Sequence, residues 1–352
     1  MTLTHANPVL DTPPKITIGI TEACPLRCSY CYADCARAPK QGELHEEQWI
    51  PLLKGLAEQG VIQAYFEGGE PLVKPGMLKI LRAVTPVMMT LLRTHGIGLT
   101  QDIAKELADI GLGRGLVDLM GADAGTHDAA TGVPGSFEQS LAAIRHLVAA
   151  GIPTDVLVIL TVPTAPQLSD IARIAADLGA RRIGVLRLYP LGRARTVWSE
   201  LALSMEAQTA ALAGLRRPKG LGLMQSWHPN DHNCCWQAAA INAFGRAIGC
   251  MYLREFVDFG DATKTPYNDI FRSNPLYRAL RSGNVEESCG DCSATQGSHG
   301  GCRSAAYAFH GRWTAPDPFD AALNHGTDLT RLPPVRPLTV TEGNADGNDL
   351  VA

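Results

Sequence analysis

The 352-residue sequence has no excess of positive charge. Its 31 Lys and Arg face 35 Asp and Glu, for a formal net charge of −4. Nothing electrostatic therefore draws it to nucleic acid or to an anionic membrane surface. It lacks an apolar run of membrane-spanning length; the longest, Val156 to Val162, suits a buried strand. Met1 to Pro14 has neither the basic nor the apolar region of a signal peptide, so the expected location is cytoplasmic. There is no internal repeat. Cysteine is missing from the whole stretch between Ala36 and Asn233, which argues against a disulfide net spread along the chain.

Ten cysteines are nevertheless present, in two groups. Cys24, Cys28, Cys31 and Cys35 lie near the start. Cys234, Cys235, Cys250, Cys289, Cys292 and Cys302 lie in the last third. Disulfides are rare in a reducing compartment, so clustered cysteines there point to metal or redox chemistry. The segregation predicts two separate sites. Hydrophobic content of 45% and charged content of 19% are those of a soluble globular protein, and the length allows two domains.

Alternating Ile16, Ile18 and Ile20 read as a strand. His45 to Gln59 reads as a helix with Trp49, Leu53 and Leu56 on one face. Further strands are expected at 61–66, 87–93, 116–119, 154–161 and 183–188. Helices are expected after Thr100, after Ser136 (as a capping box with Gln139) and over 169–178. Repeated strand–helix alternation calls for a parallel sheet with helices outside, either a partial barrel or an open doubly wound sheet. Ligands gather at the C-terminal strand ends in both, and the first cysteine group directly follows the first strand. Residues 196–215 read as helical and as a bridge. Residues 226–320, rich in Cys, His, Gly and aromatics, read as having little helical pattern, little apolar core and a dependence on metal for order. The end beyond Asn324 reads as extended or disordered.

Three thiolates from one short loop can hold three irons of a cubane cluster and leave the fourth iron open. Zinc is the rival, with Cys35 as its fourth ligand. Cys24-Pro25-Leu26-Arg27-Cys28-Ser29-Tyr30-Cys31 resembles the signature of the radical S-adenosylmethionine (radical SAM) superfamily. Phe66-Glu67-Gly68-Gly69-Glu70-Pro71, at the end of the second strand, resembles that family's Gly-Gly-Glu-Pro motif; physically, two glycines allow close backbone approach. Weaker likenesses are Val117-Asp118-Leu119, His127-Asp128, Gly135-Ser136-Phe137, and Thr94-His95-Gly96, where His replaces the usual Asn. Thr131 stands where arginine is usual. The resemblance spans roughly residues 15–195.

The resemblance implies a partial (β/α)6 barrel of radical SAM type, an α/β fold. It implies a [4Fe-4S] cluster on Cys24, Cys28 and Cys31 whose open iron binds S-adenosylmethionine. Tyr30 would lie near the adenine, Gly68, Gly69 and Glu70 would position the amino group, and Asp118 would contact the ribose. Cys289-x2-Cys292 and Gly300-Gly301-Cys302-Arg303 resemble the SPASM/twitch extension, a small cysteine-rich domain for auxiliary iron–sulfur clusters. At least one such cluster is expected, on Cys235, Cys250 and Cys302, with Cys234 as fourth ligand. Alternatives are a twitch-like set of Cys235, Cys250, Cys289 and Cys292, or zinc at Cys289 and Cys292. His299 and Asp320 stand where the full pattern has cysteines. Cys234 and Cys35 are candidate hydrogen donors to a substrate radical.

The expected organisation is an extension (1–14), the barrel (15–195), a bridging helical segment (196–225), the auxiliary-cluster domain (226–325) and a tail (326–352). The expected activity is reductive cleavage of S-adenosylmethionine to a 5′-deoxyadenosyl radical and abstraction of a substrate hydrogen. Oxidation, crosslinking or epimerisation of a ribosomal precursor peptide is the first substrate reading, and a small metabolite such as a sugar, aminocyclitol, nucleoside or porphyrinoid the second. A non-catalytic zinc or iron–sulfur binding protein is a third. Expected partners are a flavodoxin- or ferredoxin-type reductant and, because only the stretch 1–14 precedes the first strand, a separate leader-peptide-binding protein.

Overall fold

A computed structural model describes residues 10–225, 238–282, 301–321 and 323–334. The chain begins with strand β1 (Lys15–Gly19), helix α1 (Glu46–Glu58), β2 (Gln63–Glu67), α2 (Met77–Val84), β3 (Met89–Thr94) and α3 (Gln101–Ile110). It continues through β4 (Arg114–Asp118), α4 (Ala124–Thr131), α5 (Ser136–Ala149), β5 (Thr154–Leu160), α6 (Leu168–Asp177) and β6 (Arg182–Arg187). Every residue of β5 is buried, as expected of a strand covered on both faces of a parallel sheet.

The helices form for the reasons their spacing gives. Trp49, Leu53 and Leu56 of α1 are fully buried on one face. Thr100 caps α3, its hydroxyl accepting from Ile103 N at 3.3 Å, and left-handed Gly111 ends it. Two helical expectations need correcting. No helix was expected between β2 and β3, yet Met77, Ile80, Leu81 and Val84 recur at helical spacing and bury one side of α2. Ser136 does not cap α5. Left-handed Gly135 holds that position, and Ser136 Oγ turns inward to donate to Asp128 Oδ1 at 2.9 Å.

The sheet has eight strands in the order β7-β6-β5-β4-β3-β2-β1-β8, with each neighbouring pair parallel. β1 to β6 follow chain order, so each crossover steps the same way and packs its helix on the same side. The sheet accordingly curls into a partial barrel. Two added strands come from outside the expected six. β7 (Gly222–Gln225) follows α7 (Trp198–Leu201) and α8 (Met205–Ala213), and β8 (Ala240–Ile241) pairs with β1.

The C-terminal segment differs most from its sequence reading. It contains α9 (Tyr267–Ser273), α10 (Pro275–Ser282) and α11 (Arg303–His310). Tyr267, Phe271, Tyr277 and Tyr307 are fully or almost fully buried within the barrel's own core. Phe259 stacks on Tyr277 at 4.2 Å, and Tyr307 on Trp313 at 4.1 Å. The helices are only seven or eight residues long. Their packing is aromatic, so a count of aliphatic residues misses it. Arg187, closing β6, forms a buried ion pair with Asp317 at 2.9 Å, which ties this segment to the barrel.

Candidate active site

The first cysteine loop leaves the C-terminal end of β1. Cys24 N donates to Ala36 O at 2.7 Å, and Ala36 N donates to Glu22 O at 3.0 Å, closing the loop on itself. Glu43 fixes its entry. One carboxylate oxygen accepts from Glu22 N (2.9 Å) and Lys40 N (3.0 Å); the other accepts from Thr21 Oγ1 (2.7 Å) and Lys74 Nζ (3.4 Å). Arg193, beyond β6, fixes the far side by donating to Cys28 O at 2.9 Å and Cys35 O at 3.2 Å.

The next strand end presses against this loop. Gly69 N donates to Thr21 O at 2.7 Å, and Glu70 N to Ala23 O at 2.8 Å. Gly68 has φ +138, and a Cβ there would lie 2.5 Å from Thr21 O. The two glycines thus serve first to let the β2 end lie against the cysteine loop. Glu70 is fully buried beside the cysteine loop. Its carboxylate accepts from Thr94 Oγ1 (2.7 Å), His95 N (2.8 Å) and Leu72 N (3.2 Å), so it orients the β3 end. Burial pushes its carboxyl up to about 7, against those three donors.

Cys24, Cys28, Cys31 and Cys35 line one pocket, together with Tyr30, Gly68 and Gly69. Asp118 lines the same pocket. Burial pushes the Cys24 thiol up to about 12 and Cys28 higher still, while a hydrogen bond from Cys35 holds Cys31 below its usual range. Cys35, expected as a hydrogen donor to substrate, packs against Cys31 and Gly68 O.

Arg93 and Glu67, not assigned from the sequence, join Asp118 in a charged network across the pocket. Arg93 Nε donates to both Asp118 oxygens at 3.0 and 3.1 Å, and Nη1 reaches Glu67 at 3.3 Å. Tyr32 donates to Glu67 at 2.9 Å. His95 Nε2 lies 3.5 Å from Asp118, and its Nδ1 is buried without a partner among the described residues. Burial holds His95 below the usual imidazole range despite Asp118. Glu67 and Arg93 occupy alternate, inward positions at the ends of β2 and β3. That placement was their available sequence signal.

Of the second cysteine group, Cys250 and Cys302 are described and lie near one another. Burial pushes Cys250 up to about 12, and Cys302 adds to the rise. Asp320 is buried beside Asp317, whose carbonyl accepts from Asp320 N at 3.0 Å. Cys234, Cys235, Cys289, Cys292 and His299 lie outside the described residues.

A barrel that delivers a three-thiol loop and a glycine-paired second strand to one pocket defines an iron–sulfur enzyme. The model of the radical SAM superfamily matches residues 18–178, and that of SPASM, an iron–sulfur cluster-binding domain, matches 234–293. The chain thus carries a radical SAM domain and a SPASM domain. It is 28% identical to a PqqA peptide cyclase of Streptomyces rochei, over 92% of this chain and 96% of that one. It is 25% identical to an AdoMet-dependent heme synthase of Oleidesulfovibrio alaskensis, over 85% and 84%. Streptococcus suis SuiB bound to S-adenosylmethionine shares the fold at a TM-score of 0.74 and 15% identity, over 89% of this chain and 78% of that one.

The cofactors of such a protein are a [4Fe-4S] cluster that binds S-adenosylmethionine, S-adenosylmethionine itself, and at least one auxiliary iron–sulfur cluster. The pocket fits the first two. Among the described residues, no three His, Cys, Asp or Glu side chains converge tightly enough for a single ion. Three thiols opening onto one pocket suit the larger cubane. The buried Tyr30 side chain lies on the same wall, its hydroxyl directed at Cys28. No helix among the described residues is long and apolar enough to cross a membrane.

Proposed function

We propose that this chain is a radical SAM tailoring enzyme whose substrate is a ribosomally made precursor peptide. The observation that carries the reading is the convergence of Cys24, Cys28, Cys31, Gly68, Gly69 and Asp118 on one pocket. When bound, the cluster and S-adenosylmethionine would supply one-electron radical chemistry that removes a substrate hydrogen. The chain's own groups bind and orient. Cys24, Cys28 and Cys31 hold the cluster in a loop braced by Glu43 and Arg193. Gly68 and Gly69 present backbone to the amino acid part of S-adenosylmethionine. Tyr30 flanks the adenine, and Asp118, held by Arg93, faces the ribose. Glu70 acts through Thr94 and His95 and so is a positioning residue.

Cys235, Cys250 and Cys302 hold the auxiliary cluster in this reading, with Cys234 completing it. The peptide assignment draws support from the peptide cyclase relative. A flavodoxin- or ferredoxin-type protein would supply the electron, and a separate protein would present the leader peptide. Thiolate ligands in this number require a reducing compartment, which favours the cytoplasm.

Anaerobic reconstitution with iron and sulfide tests the reading. Incubation with dithionite and S-adenosylmethionine should yield 5′-deoxyadenosine, and Cys28→Ala should abolish it. Product from that variant refutes the cluster assignment. Adding a candidate precursor peptide with deuterated residues should change its mass and move deuterium into 5′-deoxyadenosine. A small-metabolite substrate is the second reading, favoured by the heme synthase relative; metabolite labelling without peptide labelling would establish it.

A further inference from the structure

Inside the barrel, next to the cysteine pocket, lies a second chamber of about 320 Å³. The two share Glu67 and Arg93 as a common wall. The chamber's floor is apolar. Leu91, Leu116 and Leu157 project from β3, β4 and β5 and form a cluster separate from the main core, with Tyr65, Leu186 and Met224 packed around it. Such a cluster faces the barrel's inside, where it has no helix to cover it. Gly184 of β6 keeps this floor tight: a Cβ there would stand 2.5 Å from Met224 and 2.7 Å from Leu157.

The chamber's cations are all matched within the protein. Arg93 has Asp118 and Glu67, Arg182 has Asp155 at 2.6 Å, and Arg187 has Asp317 at 2.9 Å. The remaining wall carries Tyr189 stacked on Tyr252 at 3.4 Å and 9°, the uncharged Thr17, Gln63 and Met251, and Cys250, which the reading above gives to the auxiliary cluster. A charged group entering would lose its water and meet charges already neutralised, which disfavours it. An apolar group would gain from the surface it buries.

We infer that this chamber selects an uncharged apolar side chain, aliphatic or aromatic, as the substrate residue presented to the site of radical formation. The inference rests on the peptide reading above and narrows it. Through the shared Glu67–Arg93 wall, a side chain on the leucine floor lies next to the cysteine pocket. The selectivity belongs to this chain's own residues, Leu91, Leu116, Leu157 and Met224.

Saturation-transfer NMR on the anaerobically reconstituted enzyme with S-adenosylmethionine tests it, using the N-acetyl amides of leucine, phenylalanine, glutamate and lysine as probes. Transfer is expected to the leucine and phenylalanine amides and not to the charged pair. Leu116→Asn and, on another strand, Met224→Gln should each weaken it about fivefold, the equivalent of about one methylene's burial. Equal transfer to the glutamate or lysine amide overturns the inference, as does unchanged transfer in whichever of the two variants folds. Formation of 5′-deoxyadenosine, measured after dithionite is added to the same sample, separates the two claims. Its absence defeats the radical-enzyme reading, whereas its presence with a charged preference defeats only the chamber assignment.

Discussion

Gly69 lies so close to Ala23 that a Cβ on it would stand 2.0 Å from the Ala23 carbonyl oxygen. That contact, between the end of β2 and the cysteine loop, cannot be relieved by a side-chain rotation because both partners are backbone. Gly69→Ala should therefore displace the loop, destabilise the protein by about 3 kcal/mol and lower the iron bound after reconstitution. Gly55→Ala, in α1 with nothing within 4 Å of its Cβ, should leave iron content unchanged and raise stability by up to about 1 kcal/mol. Iron per chain and denaturant midpoints check both.

Glu43 should matter as much as a cysteine to the apo loop. Although burial opposes it, hydrogen bonds from Glu22, Thr21 and Lys40 hold its carboxyl below the usual range. A depressed carboxyl stabilises the fold above its unfolded value and loses that contribution as pH falls. Glu43→Ala also leaves Lys74 buried without its ion pair. A loss of about 3–5 kcal/mol is expected, read by urea denaturation of the apo protein. A cost near zero would show that the loop holds itself.

Glu70 has the opposite sign. Its folded value, pushed up to about 7, lies above the ordinary 4.5. The folded state then binds more protons between those values, so stability is full below about 4.5 and declines as pH rises through 7. The decline is at most about 3 kcal/mol. The wild-type stability curve minus that of Glu70→Gln should fall across this window and be flat above it. A difference curve that rises with pH would reverse the assignment.

Arg93 and Asp118 make a buried pair, with Arg93 11% and Asp118 4% exposed. Asp118→Ala leaves Arg93 with Glu67 as its remaining carboxylate among the described residues and should cost about 3–5 kcal/mol. Asp118→Asn, which keeps an acceptor, should cost less. In both variants S-adenosylmethionine should bind more weakly, measured by equilibrium dialysis against the reconstituted enzyme. Undiminished affinity in Asp118→Ala would remove Asp118 from the binding wall.

Much of the barrel was legible because each signal was local. Ile16, Ile18 and Ile20 alternate, Trp49, Leu53 and Leu56 repeat at helical spacing, and Thr100 caps its own helix. The thiol loop was legible because its three cysteines sit within eight residues. α2 was readable from Met77, Ile80, Leu81 and Val84, but was hidden behind Pro71 and the loop before it. The bonds of Glu70 to Thr94 and His95 were not legible, because a motif names a residue without saying which way its carboxylate turns.

By itself, the sequence determined the order of strands and helices, the cysteine loop and the glycines beside it, since neighbours along the chain set those. Only the tertiary structure decided what those residues face. It brought Arg93 from β3 onto Asp118 of β4 and Glu67 of β2, set Glu43 under the loop, and extended the barrel's two edges with β7 and β8. It also buried Tyr267, Phe271 and Tyr277 in a segment that reads as poor in core. Each of these depends on contacts between residues far apart in the chain, and so on packing and charge pairing that no local pattern encodes.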